Sequence, residues 1–197
     1  MEPAIGLLEL DSIAIGIRTG DAMVKRSPVE VLYAGTVHPG KYLVLVIGDV
    51  AAVEEAMTAG REAAAPSLLD EIFLPDVHPH VGAALDGPRP GSGGEALGIV
   101  ETRTAAAILG AADRGVKSAD VELRRIRIAD DLGGKAYCLF DGVLADVEEA
   151  VATAVAGLLR PDLLISQVVI PRLHREMADN LEAAAEFLPR LRSRGGA

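Results

Sequence analysis

The chain has 197 residues, and at roughly 150 residues per domain this length allows one or two domains. Half of the residues are apolar, which is enough for a packed core and excludes a chain that is disordered throughout. A formal net charge of -10 repels phosphate backbones, and the lack of Trp removes a usual platform for stacking bases. We therefore expect no nucleic-acid partner.

Cysteine usage and hydropathy narrow the class further. The single cysteine, Cys138, excludes a disulfide framework and a zinc site built from several cysteines of one chain. The longest apolar run, residues 42–47, is far shorter than the ~18 residues of a membrane span. The N-terminus carries Glu2 and lacks the basic region of a secretory signal. These features predict a reduced, cytoplasmic protein with no membrane partner.

The first half of the chain predicts six elements in the order β-α-β-β-α-β. Apolar runs and alternation indicate the strands, while Ser12 and Asp49 are expected to cap the two helices. The predicted elements are, in order, a strand at residues 4–10, a helix at 12–25, a strand at 29–37, a tight turn at 38–41, a strand at 42–47, a helix after residue 49, and a strand at 68–74 ended by Pro75. Such a domain is an α+β layer of ferredoxin-like type, with both helices on one side of a four-stranded sheet.

The second half of the sequence repeats the first. The matches keep their order over about 70 residues, at a spacing of 92 to 96 residues, which suits two small domains better than a solenoid. The matching segments are AIGLLEL with ALGIVET, Asp21 and Lys25 with Asp113 and Lys117, Gly40 and Lys41 with Gly134 and Lys135, VEEA at 53–56 with VEEA at 147–150, and LPDVH at 74–78 with IPRLH at 170–174. We interpret this pattern as a tandem duplication, in which a permutation of the strand order is not excluded.

A linker separates the two copies. Residues 82–95 are rich in Gly, Pro and Ser, and we set the linker at residues 87–95. The first domain is then residues 1–86, and the second is residues 96–197. Apolar residues at helical spacing predict an amphipathic helix over residues 175–194, interrupted near Pro189.

The motif order resembles the bacterial microcompartment shell domain. The motifs are AIG-x-x-E, D-x-x-x-K, PGK or GGK, VEEA and IPR-x-H, and the resemblance covers residues 4–177. Two copies in one chain are similar to the tandem-domain shell proteins, in particular those of propanediol-type microcompartments. The resemblance implies a structural protein that is not an enzyme. Its homotrimer would mimic the hexamers of single-domain relatives and tile the shell facet with other shell proteins.

The resemblance also assigns contacts at the edge of the tile. Lys25 and Lys117 match the family's edge lysine, and Arg172 matches its edge arginine, for which the first copy has Asp76. The residues alone allow a simpler interpretation, in which each lysine forms an i,i+4 helix pair worth ~0.2–0.5 kcal/mol.

The resemblance places two loops at the symmetry axis. His38, Pro39 and Gly40 of the first copy, with Leu132, Gly133 and Gly134 of the second, would line a central pore for metabolite passage. Three copies of His38 would meet there, as a polar lining or as a site for Zn or Cu. Some relatives carry Cys at this position and hold an iron–sulfur cluster, which is the remaining alternative.

Two other classes of function stay open at this point. One is a soluble regulator that binds a small molecule on a ferredoxin-like fold, and the other is an enzyme with a site between the copies. The sequence has no nucleophile elbow, dinucleotide fingerprint or zincin helix. The His78-Pro79-His80 sequence is expected to form a surface turn, and the C-terminal helix is a candidate contact for enclosed enzymes.

Overall fold

The computed structural model describes residues 3–87, 89 and 95–182. The first half contains β1 (Ala4–Leu10), α1 (Ile13–Arg26), β2 (Val31–Val37), β3 (Lys41–Gly48), α2 (Val50–Ala64), β4 (Leu68–Leu74) and α3 (Pro79–Asp86). The second half contains β5 (Ala96–Thr102), α4 (Ala105–Ser118), β6 (Glu122–Ile128), β7 (Ala136–Gly142), α5 (Leu144–Ala156), β8 (Leu164–Ile170) and α6 (Arg175–Glu182). Most of the predicted linker and the predicted helix beyond residue 182 lie outside the described residues.

Each half forms an antiparallel four-stranded sheet of ferredoxin-like order. The strand orders are β2-β3-β1-β4 and β6-β7-β5-β8, so β3 and β1 are the inner strands of the first sheet, and β7 and β5 are those of the second. Both halves keep the β-α-β-β-α-β order along the chain, so the predicted α+β duplication is confirmed and neither half is permuted.

The helices begin where local capping predicts. The Ser12 hydroxyl accepts a hydrogen bond from the Ile15 amide, and the Asp49 carboxylate accepts one from the Ala52 amide. Thr104 repeats the arrangement at α4 by accepting from the Ala107 amide. Each cap satisfies an amide that the helix itself leaves unpaired.

Helices α1 and α2 pack on one face of the first sheet, which we call the inner face. Leu8 and Leu10 of β1 form a core there with Met23 and Met57. Gly6 permits the close contact of α2, because a Cβ at this position would lie 2.6 Å from the Met57 sulfur.

The opposite, outer face of the first sheet is covered by the second domain along β1 and β4. Ile5 and Leu7 of β1 belong to one core with Ile108 and Leu109 of α4. Residues 105–112 of α4 are all buried, because this helix packs on its own sheet and on β1 and β4 of the first domain. A single core therefore joins the two domains.

One short helix was not predicted. Residues 78–80 were expected to form a surface turn, and that expectation is wrong, since they begin α3, which continues into the Gly-rich stretch as far as Asp86. His78 caps the helix by accepting from the His80 amide, and Pro79 occupies the first helical position, where no amide donor is needed. Val81 is fully buried, and α3 packs against β6, so the second domain stabilises this helix.

Candidate functional site

The two predicted pore loops lie side by side where the domains meet. A Cβ at Gly134 would lie 2.8 Å from Pro39 Cδ and 3.2 Å from Lys41 Cε. Gly134 has a φ of 81°, a left-handed conformation that glycine adopts without steric cost. The Lys41 ammonium also donates to the Gly134 carbonyl oxygen at 3.3 Å. Glycine at this position therefore permits the close approach of the two loops.

The tips of these loops face solvent. His38, Pro39 and Gly40 are exposed, and the Gly40 amide closes their turn by donating to the Val37 carbonyl at 2.9 Å. In the second loop Leu132 is half-buried, Gly133 is exposed and Gly134 is buried against the first loop. The two predicted residue sets thus form one contiguous surface of the chain, with His38 next to the contact residue Pro39.

A buried carboxylate lies behind the loops. The Glu9 side chain has no exposed surface, and its oxygens accept from Lys41 Nζ at 2.6 Å and from the Ala105 amide at 2.7 Å. Burial raises the pKa of Glu9, although the hydrogen bonds from Lys41 and Ala105 oppose this shift. Because Ala105 begins α4, the carboxylate also meets the positive end of that helix. Glu9 therefore joins β1, the first loop and the second domain.

Further polar contacts fix α4 against the first domain. Thr104 donates its hydroxyl to the Asp70 carboxylate at 2.5 Å, and the Asp113 carboxylate accepts from the His78 amide at 2.8 Å. Sequence reasoning missed this junction. A signal was available, because a glutamate recurs at the same position inside both apolar strands, and a buried charge needs a partner.

The predicted edge residues have different surroundings. Lys25 forms the expected helix pair with Asp21 at 2.6 Å, and the lysine side chain is 73% exposed. Lys117 pairs with Asp113 at 2.8 Å and also donates to the Asp76 carbonyl of the first domain. Both helix pairs predicted from the spacing are thus present. Arg172 is exposed just after β8.

The metal alternatives differ in how well the residues fit. Cys138 is fully buried in β7, and burial raises the pKa of its thiol, so it does not fit a thiolate-bound cluster at the loops. Within residues 3–87, 89 and 95–182, no group of three or more His, Cys, Asp or Glu side chains is placed to hold a metal ion. His38 has an exposed imidazole of the donor type that Zn and Cu accept. A metal there would therefore need ligands from further copies of the chain.

Two of the other histidines cap helices. His174 Nδ1 accepts from the Glu176 amide at the start of α6, as His78 Nδ1 accepts from the His80 amide at the start of α3. His174 and His78 occupy matching places in the repeat and cap matching helices. None of the helices in the described part of the chain is long and apolar enough to cross a membrane.

Comparison with known proteins decides the family. The sequence matches the family profile of the BMC domain twice, at residues 4–77 and 96–173. The chain belongs to the bacterial microcompartment shell protein family. It is 42% identical over 177 residues to the microcompartment shell protein PduT of Citrobacter freundii, a match that covers 90% of this chain and 96% of that protein.

Solved structures agree with this assignment. A microcompartment protein from Desulfitobacterium hafniense superposes with a TM-score of 0.79 at 43% identity, over 91% of this chain and 99% of the other. The fused permuted hexameric shell protein MSM0275 has a TM-score of 0.55 at 21% identity, over 77% and 81% of the two chains, and shares the fold. This protein is accordingly a structural component of a microcompartment shell and not an enzyme, in a family that assembles with other shell proteins.

Proposed function

We propose that three copies of this chain close into a flat ring of six BMC domains, and that this ring is the tile of the shell. The observation that carries the proposal is a mismatch within the chain. Where the two domains meet within the chain, the surfaces of α4, β4 and α3 are covered. The equivalent surfaces on the outer sides of the two domains, on α1, β8 and α6, are exposed.

Helix α1 presents the first exposed counterpart. Its residues Ile13, Ile17 and Val24 are 42%, 58% and 40% exposed. The matching residues of α4 are at most 7% exposed, because α4 packs on the neighbouring domain; they are Ala105, Leu109 and Val116. An apolar helix face of this kind gains about 25 cal/mol for each Å² that a partner covers, so α1 is suited to the same contact with a second copy.

The far side of the second domain presents the complementary surface. Val168 of β8 is 45% exposed, whereas the matching Ile72 of β4 packs against α4. Met177 of α6 is 52% exposed, whereas the matching Val81 of α3 is fully buried. These comparisons support docking of β8 and α6 of one copy on α1 and β2 of the next.

A polar pair repeats the pattern. Glu101 and Lys135 lie 3.0 Å apart with side chains 31% and 54% exposed, whereas the matching Glu9 and Lys41 are 0% and 19% exposed. Glu9 accepts from the first amide of α4, so Glu101 has the corresponding amide of α1, that of Ile13, as its partner in the ring. Three such junctions close the ring by rotation, as in other cyclic assemblies.

In this ring the loops surround the axis. The lining would comprise His38, Pro39 and Gly40 with Leu132, Gly133 and Gly134 of each copy, and their glycines suit backbones that approach closely. We infer that the opening is a polar passage for small metabolites.

Three His38 imidazoles would also suit Zn or Cu with water as a fourth ligand. Metal analysis of protein prepared without chelators tests this. A content below one metal ion per three chains, with the same content in His38→Ala, would exclude the metal site.

The tile edges are proposed to use Lys25, Lys117 and Arg172. Lys25 is well exposed, while Lys117 is partly held by the Asp76 carbonyl, so edges of the first and second domains differ. Contacts of millimolar affinity are each worth only ~4 kcal/mol, but many of them hold a lattice together. The partners are other tiles of the same or related shell proteins.

Native mass spectrometry tests the ring. We expect the wild-type chain to have three times the mass of the 20.5 kDa chain. Ile17→Asp should give single chains, because it would bury a carboxylate at each junction. The matched control is Val143→Asp, which changes an exposed valine, 64% accessible, at the helix-cap position that Asp49 holds in the first domain. A single-chain wild type, or an intact Ile17→Asp trimer, would contradict the proposal.

A further inference from the structure

We infer that Arg18 anchors the contact between neighbouring copies by packing against β8 of the adjacent copy. The equivalent space between the two domains of one chain is filled by other side chains. This inference rests on the proposed ring. It concerns one residue whose counterpart in the repeat, Gly110, has no side chain at all.

The junction inside the chain is closely packed where β4 meets α4. A cavity of only about 20 Å³ remains between β4 and α4, bordered by Ile72, Gly110 and Arg114 together with Leu158 and Leu163. A Cβ at Gly110 would already lie 3.1 Å from Ile72 Cδ1, so this position has no room for a side chain unless Ile72 moves.

The corresponding positions between copies carry smaller side chains. Five of the residues around the cavity have a smaller counterpart at the same position of the repeat. The counterparts are Val168 for Ile72, Ser166 for Asp70, Ala22 for Arg114, Ala64 for Leu158 and Ser67 for Leu163. Ile15 is larger than its counterpart Ala107, but it packs on the core of its own domain. Protein interiors tolerate few voids larger than a water molecule. A second copy docked in the same geometry would therefore leave a void, and Arg18 replacing Gly110 is the substitution that fills it.

Arginine also suits the polar groups available there. Arg18 is exposed, and one terminal nitrogen donates to the Ala63 carbonyl at the end of α2, at 2.7 Å. Its guanidinium has five N–H donors, so most remain for a partner. Ser166 of β8 is exposed and offers a hydroxyl oxygen, at the position where Asp70 accepts a hydrogen bond from Thr104 inside the chain. In the second domain the arginine at this helix face is Arg114, one turn later, whose pKa is lowered by burial within the chain.

Subunit exchange between isotopically labelled and unlabelled trimers, followed by native mass spectrometry, tests the anchor. Arg18→Ala should speed exchange by at least about tenfold, since it removes a charge-assisted hydrogen bond and leaves the void. The matched control is Arg26→Ala on the same helix, because Arg26 pairs with Glu55 of its own domain at 2.8 Å. Its exchange rate should equal that of the wild type.

A pair of charge-changing substitutions distinguishes a contact between copies from an effect on folding. Arg18→Glu should weaken the trimer, and adding Ser166→Arg on the facing strand should restore slow exchange. If the wild type is a trimer and Arg18→Ala exchanges subunits at the wild-type rate, this inference is overturned and the ring stands. The same holds if Arg18→Ala only lowers the melting temperature. A wild type that remains a single chain would instead overturn the ring, and the inference with it.

Discussion

The buried carboxylate at the domain junction gives the sharpest test of the internal packing. Glu9→Ala removes the acceptor of the Ala105 amide and the ionic partner of Lys41, while Ala105 itself has no exposed surface. The change leaves the loop lysine with only the longer contacts to the Arg103 and Gly134 carbonyls, at 3.4 and 3.3 Å.

The expected cost follows from burial. An unpaired buried amide costs about 1–3 kcal/mol, and losing one partner of a buried ion pair costs about 3–5 kcal/mol in total. Because Lys41 is still 19% exposed and keeps two carbonyls, we expect the lower end, about 3 kcal/mol. Glu55→Ala is the control, since its pair with Arg26 is more than half exposed on both sides and is worth at most about 1 kcal/mol.

Urea unfolding near pH 7, at one chain concentration for all proteins, measures both values. The free energy of unfolding should fall at least about three times further for Glu9→Ala than for Glu55→Ala. Equal losses in the two variants would refute the argument that the Glu9 pair fastens the second domain to the first.

Three further predictions concern pH, the loops and the tile edge. Because burial raises the pKa of Glu9 above 4.5, the folded chain holds this proton more tightly than the unfolded chain, so the stability linked to the proton is present below pH 4.5 and is lost as the pH rises through the raised pKa, while the contacts to Lys41 and Ala105 remain; the unfolding free energy of the wild type minus that of Glu9→Gln should therefore decrease with pH, and an increase would show the sign to be wrong. Gly134→Ala should destabilise the protein by at least about 1 kcal/mol more than Gly133→Ala. Both glycines have a positive φ, but only a side chain at Gly134 would collide with Pro39. Equal melting temperatures would contradict the contact between the two loops. Lys25→Ala should reduce the sheets seen by electron microscopy at high protein concentration, with trimer mass unchanged, and undiminished sheets would remove Lys25 from the edge.

The strands and capped helices of each half were predictable because their signals are local. Ser12 and Asp49 cap the helices that their positions predict, and the apolar run at residues 4–10 is β1. Helix α3 was not predictable in this way. Its proline and glycine suggest a turn, and the burial of Val81 that stabilises it comes from the second domain.

The domain junction depended on long-range contacts that no spacing reveals. The duplication predicted two equivalent domains, but not that α4 would be buried on both sides while α1 is half exposed. Lys41 and Gly134 are 93 residues apart, and their contact was not predicted; the family resemblance placed both loops at one axis but did not pair these residues. The roles of Glu9 and Arg18 became visible only when the two halves were compared in three dimensions.

Electron microscopy of single wild-type particles is the most direct test of the ring. Class averages should show flat plates with threefold symmetry, a nearly hexagonal outline and a central opening. Compact particles of one chain, or plates without threefold symmetry, would contradict the account.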